Sequence, residues 1–302
     1  MSDALELTPL VPAAPRVRIA ACVELTKPRI AGMVLVATGI GFYLAAPADA
    51  GAAAVPLLLS TLVGTLLTAG GANALNQYLE ADYDRQMART ENRPLPSGRL
   101  SAADALVFGI VCSVIGVAWL GLRVNLLSAA ISATAVSSYV FVYTPLKRVT
   151  PLCVLIGAVP GALPPMIGWA AGGGTLTLGA WLLFVIMFFW QVAHFATIAW
   201  QYRDDYARAG YAVWSVVDPD GEHTSLHLIT HTVGLIAASL LPAIYGLAGP
   251  VYAVGALTLG LAFLAFGVAF VRRPTRVLAR MHVRASITYL PLLLALMLFD
   301  KT

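Results

Sequence analysis

The chain has 302 residues, of which 59% are hydrophobic and only 11% are charged, and its mean hydropathy is +0.80. A soluble globular domain carries about twice that charged fraction, so the composition excludes an ordinary soluble protein and predicts an all-α, polytopic membrane protein. The net charge of +4 is explained by membrane orientation and gives no reason to expect a nucleic-acid partner. The three cysteines are widely separated, which argues against a disulfide framework or a zinc site.

The beginning of the chain differs in composition from the rest. Residues 1–15 contain prolines and acids but no basic region ahead of an apolar stretch, so they do not read as a cleaved signal peptide. We therefore predict a loose N-terminal tail over residues 1–20 and a single transmembrane domain over residues 21–302.

Nine apolar stretches follow in chain order. Each reaches or approaches the roughly 20 residues that a helix needs to cross the hydrocarbon of a lipid bilayer. The predicted helices cover residues 28–46, 55–79, 102–122, 125–144, 150–171, 177–200, 227–248, 250–271 and 283–299. The fifth stretch is rich in Gly and Pro, which predicts close helix packing and a kink.

Basic residues are distributed unevenly among the connections. All but two of the 19 lysines and arginines precede the first predicted helix or belong to the connections after helices 2, 4, 6 and 8. By the positive-inside rule this predicts a multi-pass protein of the cell (plasma or inner) membrane with a cytoplasmic N-terminus. The connections after helices 2 and 6 also hold most of the acids, so we expect the active site to face the cytoplasm.

The most informative polar cluster is at the end of the second predicted helix. Asn76, Glu80 and Asp84 are spaced by four and therefore share a helix face. An amide and two carboxylates are costly at the edge of a membrane helix, and their oxygens are typical ligands of a divalent cation such as Mg2+. Arg89 and Arg93 follow, and guanidinium groups suit phosphate oxygens. The cluster predicts a catalytic site that binds a diphosphate with its Mg2+.

Two smaller groups are candidates for the same site. Asp204 and Asp205 occupy the equivalent end of helix 6, where they either bind the diphosphate from the other side or are ordinary solvated charges. Tyr143 and Lys147 share a face at the end of helix 4. Lys147 is predicted to stabilise charge on the leaving group, although the pair also fits an interfacial aromatic and a topological anchor.

Histidines are few, and one of them lies within an apolar stretch. His194 is about two turns before the acidic pair, where an imidazole is either hydrogen-bonded within the bundle or a haem ligand or proton carrier. His223, His227 and His231 are spaced by four, which would permit a metal or haem site. We predict instead that they form a solvated helix start.

With these motifs, the chain resembles the UbiA superfamily of intramembrane aromatic prenyltransferases, and within it the branch that acts on haem. The segments NQYLEADYDRQMARTENRPLPSG, YTPLKRVTP and HFATIAWQYRDDYARAG carry the resemblance, which extends over residues 24–290. It implies nine helices around a central cavity open to lipid. It also implies Mg2+ as cofactor, farnesyl diphosphate and haem b as substrates, and a haem A synthase as a downstream partner.

The resemblance also bears on single residues. A mechanism consistent with the residues adds Asp205 to the Mg2+ ligands of the first cluster, and the position of His194 makes it the candidate haem ligand. Many relatives with other acceptors have Asp where this chain has Glu80, and acids where it has Phe195 and Tyr202. The ligands of a second metal therefore depart from the wider family pattern.

Two other functions fit part of the sequence. A prenyltransferase for another aromatic acceptor would share the metal motif, but Glu80 and the NRPLPSG segment argue against it. A secondary transporter would explain a polar membrane helix and a possible internal repeat. Transporters place their polar residues near the bilayer midplane, however, and these acids cluster at one face.

Overall fold

A computed structural model of the protein describes residues 15–302, and that part of the chain contains helices and no β-strand. Nine helical segments in the described residues are long and apolar enough to cross a membrane, which confirms the predicted number. The spans are α2 (Pro28–Ala45), α3 (Val55–Asp84), α4 (Ala102–Arg123), α5 and α6 (Leu126–Ser137 and Thr144–Leu146), α7 and α8 (Cys153–Ala162 and Pro164–Gly173), α9 (Leu178–Gln201), α12 (Glu222–Ile244), α13 (Pro250–Arg272) and α14 (Arg276–Phe299). Three shorter helices are α1 (Pro15–Leu25), α10 (Arg203–Arg208) and α11 (Trp214–Val217).

The N-terminal region differs in part from the predicted tail. Residues 1–14 lie outside the described residues, whereas residues 15–20 form the first turns of α1. Ala21 and Leu25 of this helix are fully buried and pack with Ala74 of α3 and Ala105 of α4. Helix α1 therefore covers the polar end of α3.

Two spans begin earlier than hydropathy predicts. Helix α14 begins at Arg276 because the Thr275 side chain accepts a hydrogen bond from the Leu278 backbone and caps it. Helix α12 begins at Glu222, so the three spaced histidines lie in its first turns. Hydropathy identifies only the part of a helix inside the hydrocarbon. The polar and charged first turns of α12 and α14 are also helical, so hydropathy misses these helix starts.

The fourth span is interrupted by a π-helical turn over Ser138–Tyr143. Such widened turns often occur at functional sites. Here Thr144 donates its hydroxyl to the Tyr139 carbonyl at 2.8 Å, and the rings of Tyr139 and Tyr143 stack with centroids 5.4 Å apart. The turn aims these side chains towards the polar end of α3.

The fifth span is the most buried of the nine, and its helix is interrupted within the stretch where a kink was predicted. Helix α7 ends just before Leu163 and α8 begins at Pro164, because proline cannot donate the hydrogen bond that would continue a helix. A Cβ at Gly168 would be 1.8 Å from the Thr38 carbonyl oxygen, and one at Gly161 would be 1.9 Å from Oε1 of Gln191. Glycine therefore permits close contact with α2 and α9.

Candidate active site

The end of α3 presents Asn76, Glu80 and Asp84 on one buried face. Their exposed fractions are 1%, 5% and 0%. The helix continues without interruption to Asp84, so the spacing of four becomes a row of oxygen acceptors about one turn apart. The structure thus brings together the three residues predicted to ligate Mg2+.

Both carboxylates of this row form ion pairs with basic residues from other segments. Lys147 Nζ is 2.7 Å from Oε1 of Glu80, and an Arg93 guanidinium nitrogen is 2.7 Å from Oδ2 of Asp84. The other oxygen of Asp84, Oδ1, is buried without a hydrogen-bond partner in the described residues. An unsatisfied buried carboxylate oxygen is costly, which indicates a position prepared for a ligand.

A third cation, Lys27, was not predicted to belong to the site. Its Nζ donates to Oδ1 of Asn76 at 3.0 Å, while the Asn76 amide donates to the Thr144 hydroxyl at 3.1 Å. Lys27 has φ of 52°, and no other non-glycine residue in the described chain has a positive φ. This left-handed conformation costs a side-chain-bearing residue about 1–2 kcal/mol, so other contacts must hold the lysine in place.

Two further amides of α3 provide those contacts. Asn73 donates to the carbonyl of Thr26 at 3.0 Å, and Gln77 donates to the carbonyl of Leu25 at 2.8 Å. These carbonyls end α1 and would otherwise lack helical partners. Two amides one turn apart in an apolar helix indicate that both need hydrogen-bond partners. The sequence does not reveal that these partners are the carbonyls just before Lys27.

Lys147 is held in a cage of aromatic rings. Its Nζ is 4.6 Å from the ring centroid of Tyr143 and 5.8 Å from that of Tyr211. The Lys147 carbonyl accepts a hydrogen bond from Ala212 at 2.7 Å, which fastens the end of the fourth span to the connection after α10. Tyr143 and Lys147 are therefore in contact, as expected of residues four apart on a helix face, and Tyr211 adds a second ring that the sequence did not place near Lys147.

The two lysines of the site differ in how firmly they hold their protons. Burial lowers the pKa of Lys27 to about 7, and the nearby charge of Arg93 acts in the same direction. Burial also opposes the charge of Lys147, but the Glu80 carboxylate and neighbouring tyrosines outweigh it and hold the pKa of Lys147 well above its usual value. Lys27 therefore loses its proton more readily than Lys147, and a nearby anion would favour its charged form.

The α3 row fits a Mg2+ ion shared with a substrate. The described residues contain no group of three or more His, Cys, Asp or Glu side chains that would by itself hold a metal. Asn76, Glu80 and Asp84 instead offer one amide and two carboxylates, with Oδ1 of Asp84 lacking a partner. Mg2+ prefers such oxygen ligands and commonly completes its shell with substrate phosphates and water.

The second acidic pair has different surroundings. Asp204 is paired with Arg276 of α14, and Asp205 with Arg208 of α10. Neither carboxylate forms a hydrogen bond or ion pair with the α3 row in the described residues. The structure does not join the two predicted half-sites directly, and the role of Asp205 as a metal ligand stays a prediction.

The connections that follow α3 and α9 nevertheless lie side by side. The Arg89 guanidinium carbon is 4.6 Å from the ring centroid of Tyr202, and Arg89 donates to the Tyr206 hydroxyl at 3.1 Å. Arg208 donates to the carbonyl of Gln86 at 3.3 Å. Tyr202 therefore supports Arg89, which together with Arg93 is predicted to bind the diphosphate; we call these two arginines the diphosphate clamp.

His194 has a partner within the bundle. Its Nδ1 is 2.6 Å from the Ser286 hydroxyl, and its ring stacks on Trp190 with centroids 5.0 Å apart. A hydrogen-bonding role is thus satisfied at one nitrogen, and haem contact stays a prediction. His282 also lies in a span, contrary to the predicted boundary of the last helix, and its Nδ1 is 3.1 Å from the Thr197 hydroxyl.

The fold and the polar end of α3 define an intramembrane prenyltransferase. Residues 34–287 match the UbiA prenyltransferase family, and the chain belongs to this family. Within the family it groups with protoheme IX farnesyltransferases. It is 48% identical to the one from Solibacter usitatus (strain Ellin6076), over 92% of this chain and 98% of that protein. The protoheme IX farnesyltransferase of Salinibacter ruber (strain DSM 13855 / M31) is 42% identical, over 91% and 96% of the two chains.

Solved structures agree with the fold. A digeranylgeranylglyceryl phosphate synthase superposes with a TM-score of 0.77 at 15% identity, covering 93% of this chain and 98% of that one. A UbiA homolog from Archaeoglobus fulgidus bound to DMAPP and Mg2+ gives a TM-score of 0.67 at 14% identity, covering 89% and 99%. At these identities the likeness concerns the arrangement of the helices.

Proposed function

We propose that this protein transfers the farnesyl group of farnesyl diphosphate to a vinyl group of haem b, which gives haem O and diphosphate. The observation that carries the proposal is the α3 row, in which three buried oxygen acceptors each face a cation from another segment. This arrangement suits a metal–diphosphate unit. The choice of haem b as acceptor is supported by relatives named protoheme IX farnesyltransferase that align over nearly their whole length.

Binding of the donor begins at the α3 row. Asn76, Glu80 and Asp84 would hold Mg2+, which when bound draws negative charge onto the diphosphate oxygens. Arg93 and Lys147 already lie within hydrogen-bonding distance of the two carboxylates. We propose that both cations turn to phosphate oxygens when the diphosphate arrives, with Arg89 added from the same loop as Arg93. Their charges stabilise the leaving group as the C–O bond breaks.

The chemistry follows from this placement. The diphosphate leaves with the electron pair of the C–O bond, and an allylic farnesyl cation remains. The terminal carbon of a haem vinyl group forms a bond to C1 of that cation, water adds to the neighbouring carbon, and a proton is lost. The hydroxyethylfarnesyl group of haem O results. Burial of the α3 row and the tyrosine rings around Lys147 keep bulk water from the cation before haem arrives.

Orientation and location are part of the proposal. The uneven distribution of Lys and Arg supports a cytoplasmic N-terminus and a site at the cytoplasmic face of the cell's inner membrane. In this scheme residues 21–302 act as one catalytic domain. The haem O product passes to a haem A synthase.

The direct test is an assay of membranes that contain the protein. We expect incubation with haem b, farnesyl diphosphate and Mg2+ to yield haem O by mass spectrometry, and chelation of the metal to abolish it. Parallel reactions supply a hydroxybenzoate or a naphthoate as acceptor. Prenylation of either in place of haem b would contradict the proposed acceptor and favour another branch of the family.

A further inference from the structure

A polar cavity lies where α9 and α10 meet the start of α14. It has a volume of about 490 Å3 and opens to the outside of the bundle. The lining side chains that matter here are Tyr202, Asp204, Asp205, Arg208, Arg276 and Arg280. The cavity is thus a charged cleft at the end of the helices, separate from the buried α3 row.

Positive charge exceeds negative charge in this cleft. Arg276 is paired with Asp204 and Arg208 with Asp205, whereas Arg280 has no carboxylate within ion-pair distance in the described residues. The side chains of Arg276 and Arg208 are 66% and 54% exposed, so these pairs contribute little to stability. The Arg280 guanidinium is therefore available to bind an anion. Arg276 and Arg208 are held in exposed ion pairs, in which an incoming anion can replace the aspartate.

The cleft adjoins the proposed donor site. Tyr202 lines the cleft and also stacks under Arg89, which we place in the diphosphate clamp. Arg208 lines the cleft and reaches the carbonyl of Gln86 in the connection after α3. An anion bound to the arginines of the cleft would therefore be close to the donor and at the same end of the helices.

We propose that Arg208, Arg276 and Arg280 bind the propionate carboxylates of the haem acceptor. The inference rests on the proposed function and adds the recognition of the acceptor to it. Haem b is a flat, apolar ring with two propionates on one edge and vinyl groups on other parts of its rim. Guanidinium groups bind carboxylates through paired hydrogen bonds, so the cleft fixes the ring's orientation as well as its position. A vinyl group is thereby directed towards the donor.

The test compares haem b with its dimethyl ester, in which both carboxylates are masked. Purified full-length protein in nanodiscs of zwitterionic lipid is assayed for haem O formation or its ester. For wild type, we expect the KM for the ester to be at least about tenfold higher than the KM for haem b. Arg280→Gln should raise the KM for haem b about tenfold and leave the KM for the ester and for farnesyl diphosphate unchanged. Arg280→Lys keeps the positive charge but cannot form paired hydrogen bonds to a carboxylate. Its KM for haem b should therefore lie between those of wild type and Arg280→Gln.

Arg273→Gln is the matched control, because Arg273 is a neighbouring basic residue that does not line the cleft. It should leave all three KM values unchanged. If Arg280→Gln raises the KM for the ester as much as that for haem b, or raises neither, the proposal is overturned. Wild type that makes neither haem O from haem b nor the dimethyl ester of haem O from the ester would instead refute the proposed function.

A lipid phosphate is another anion that these arginines would bind. The same assays are therefore repeated in nanodiscs that contain phosphatidylglycerol. Retention of the difference between haem b and the ester in both lipid compositions supports the proposal. An effect of Arg280→Gln that appears only with the anionic lipid, and equally for both acceptors, would assign the cleft to a lipid headgroup.

Discussion

The two acidic clusters look alike in sequence, yet the structure surrounds them differently. At α3 the side chains of Glu80 and Asp84 are 7% and 0% exposed and pair with cations from other segments. Near α10 the side chain of Asp204 is 57% exposed, whereas that of Asp205 is 14% exposed and pairs with Arg208 three residues away. Water can satisfy the exposed charge of Asp204, whereas buried carboxylates depend on partners that the fold fixes. Burial and the origin of the paired cations thus distinguish the α3 row from the second acidic pair.

The largest effect is expected where the buried row loses a charge. Asp84→Asn removes a proposed Mg2+ ligand, so turnover should fall at least about 100-fold while the protein still inserts in membranes. Asp82→Asn is the matched control, because Asp82 lies on the same helix but is exposed and, within the described residues, forms an ion pair only with Arg85. The rate of haem O formation, measured for both variants and for wild type, tests this prediction. Asp84→Asn turnover within about threefold of wild type would refute the assignment.

Replacing the guanidinium that faces Asp84 should weaken donor binding. Arg93→Lys keeps the charge but loses paired hydrogen bonds to phosphate, so the KM for farnesyl diphosphate should rise about tenfold. Arg273→Lys, on a connection away from the α3 row, should leave that KM unchanged. Steady-state kinetics with varied donor measure both. An equal rise in this KM for the two variants would contradict the assignment of Arg93 to diphosphate binding.

The second acidic pair tests whether the two clusters cooperate. Asp205 is the less exposed acid and the predicted additional metal ligand, so Asp205→Asn should raise the Mg2+ concentration needed for half-maximal rate about fivefold. Asp204→Asn should change it less than twofold, because Asp204 is the more exposed acid and pairs with Arg276. Titration of Mg2+ at fixed donor provides the measurement. No effect of Asp205→Asn would restrict the metal site to the α3 row.

The smallest effect on donor kinetics is expected at His194. If its imidazole contacts haem, His194→Ala should shift the Soret band and weaken haem b binding several-fold, with donor binding nearly unchanged. Ser286→Ala, which removes only the hydrogen-bond partner at Nδ1, should leave the Soret band close to that of wild type. An unaltered spectrum and affinity in His194→Ala would leave this residue with a structural role.

Local patterns were sufficient to predict much of the fold. Apolar length predicted nine spans, and the glycines and prolines of residues 150–171 predicted a kink, where the structure interrupts the helix at Leu163. The start of the last span was wrong because hydropathy stops where charged residues begin. Arg276, Arg280 and Arg284 interrupt the apolar residues of the first turns, and the cap at Thr275 carries no apolar signal.

Long-range contacts explain what the sequence did not reveal about the site. Spacing alone placed Asn76, Glu80 and Asp84 on one face, since all three belong to one helix. Lys27 was interpreted only as an orientation charge, because its partner Asn76 is 49 residues away and their contact depends on an unusual backbone angle. Arg280 likewise gains its position in the cleft only when α14 packs beside α9.

Most directly testable is the proposal that the α3 row provides the principal ligands of the metal–diphosphate unit and that the exposed Asp204 provides none. Electron paramagnetic resonance of Mn2+, used in place of Mg2+, tests it with a non-reacting farnesyl thiodiphosphate bound to the purified protein. We expect a signal from bound Mn2+ in wild type and in Asp204→Asn, and loss of that signal in Asp84→Asn. A bound signal that persists in Asp84→Asn, or that disappears in Asp204→Asn, would show that the α3 row does not provide the principal metal ligands.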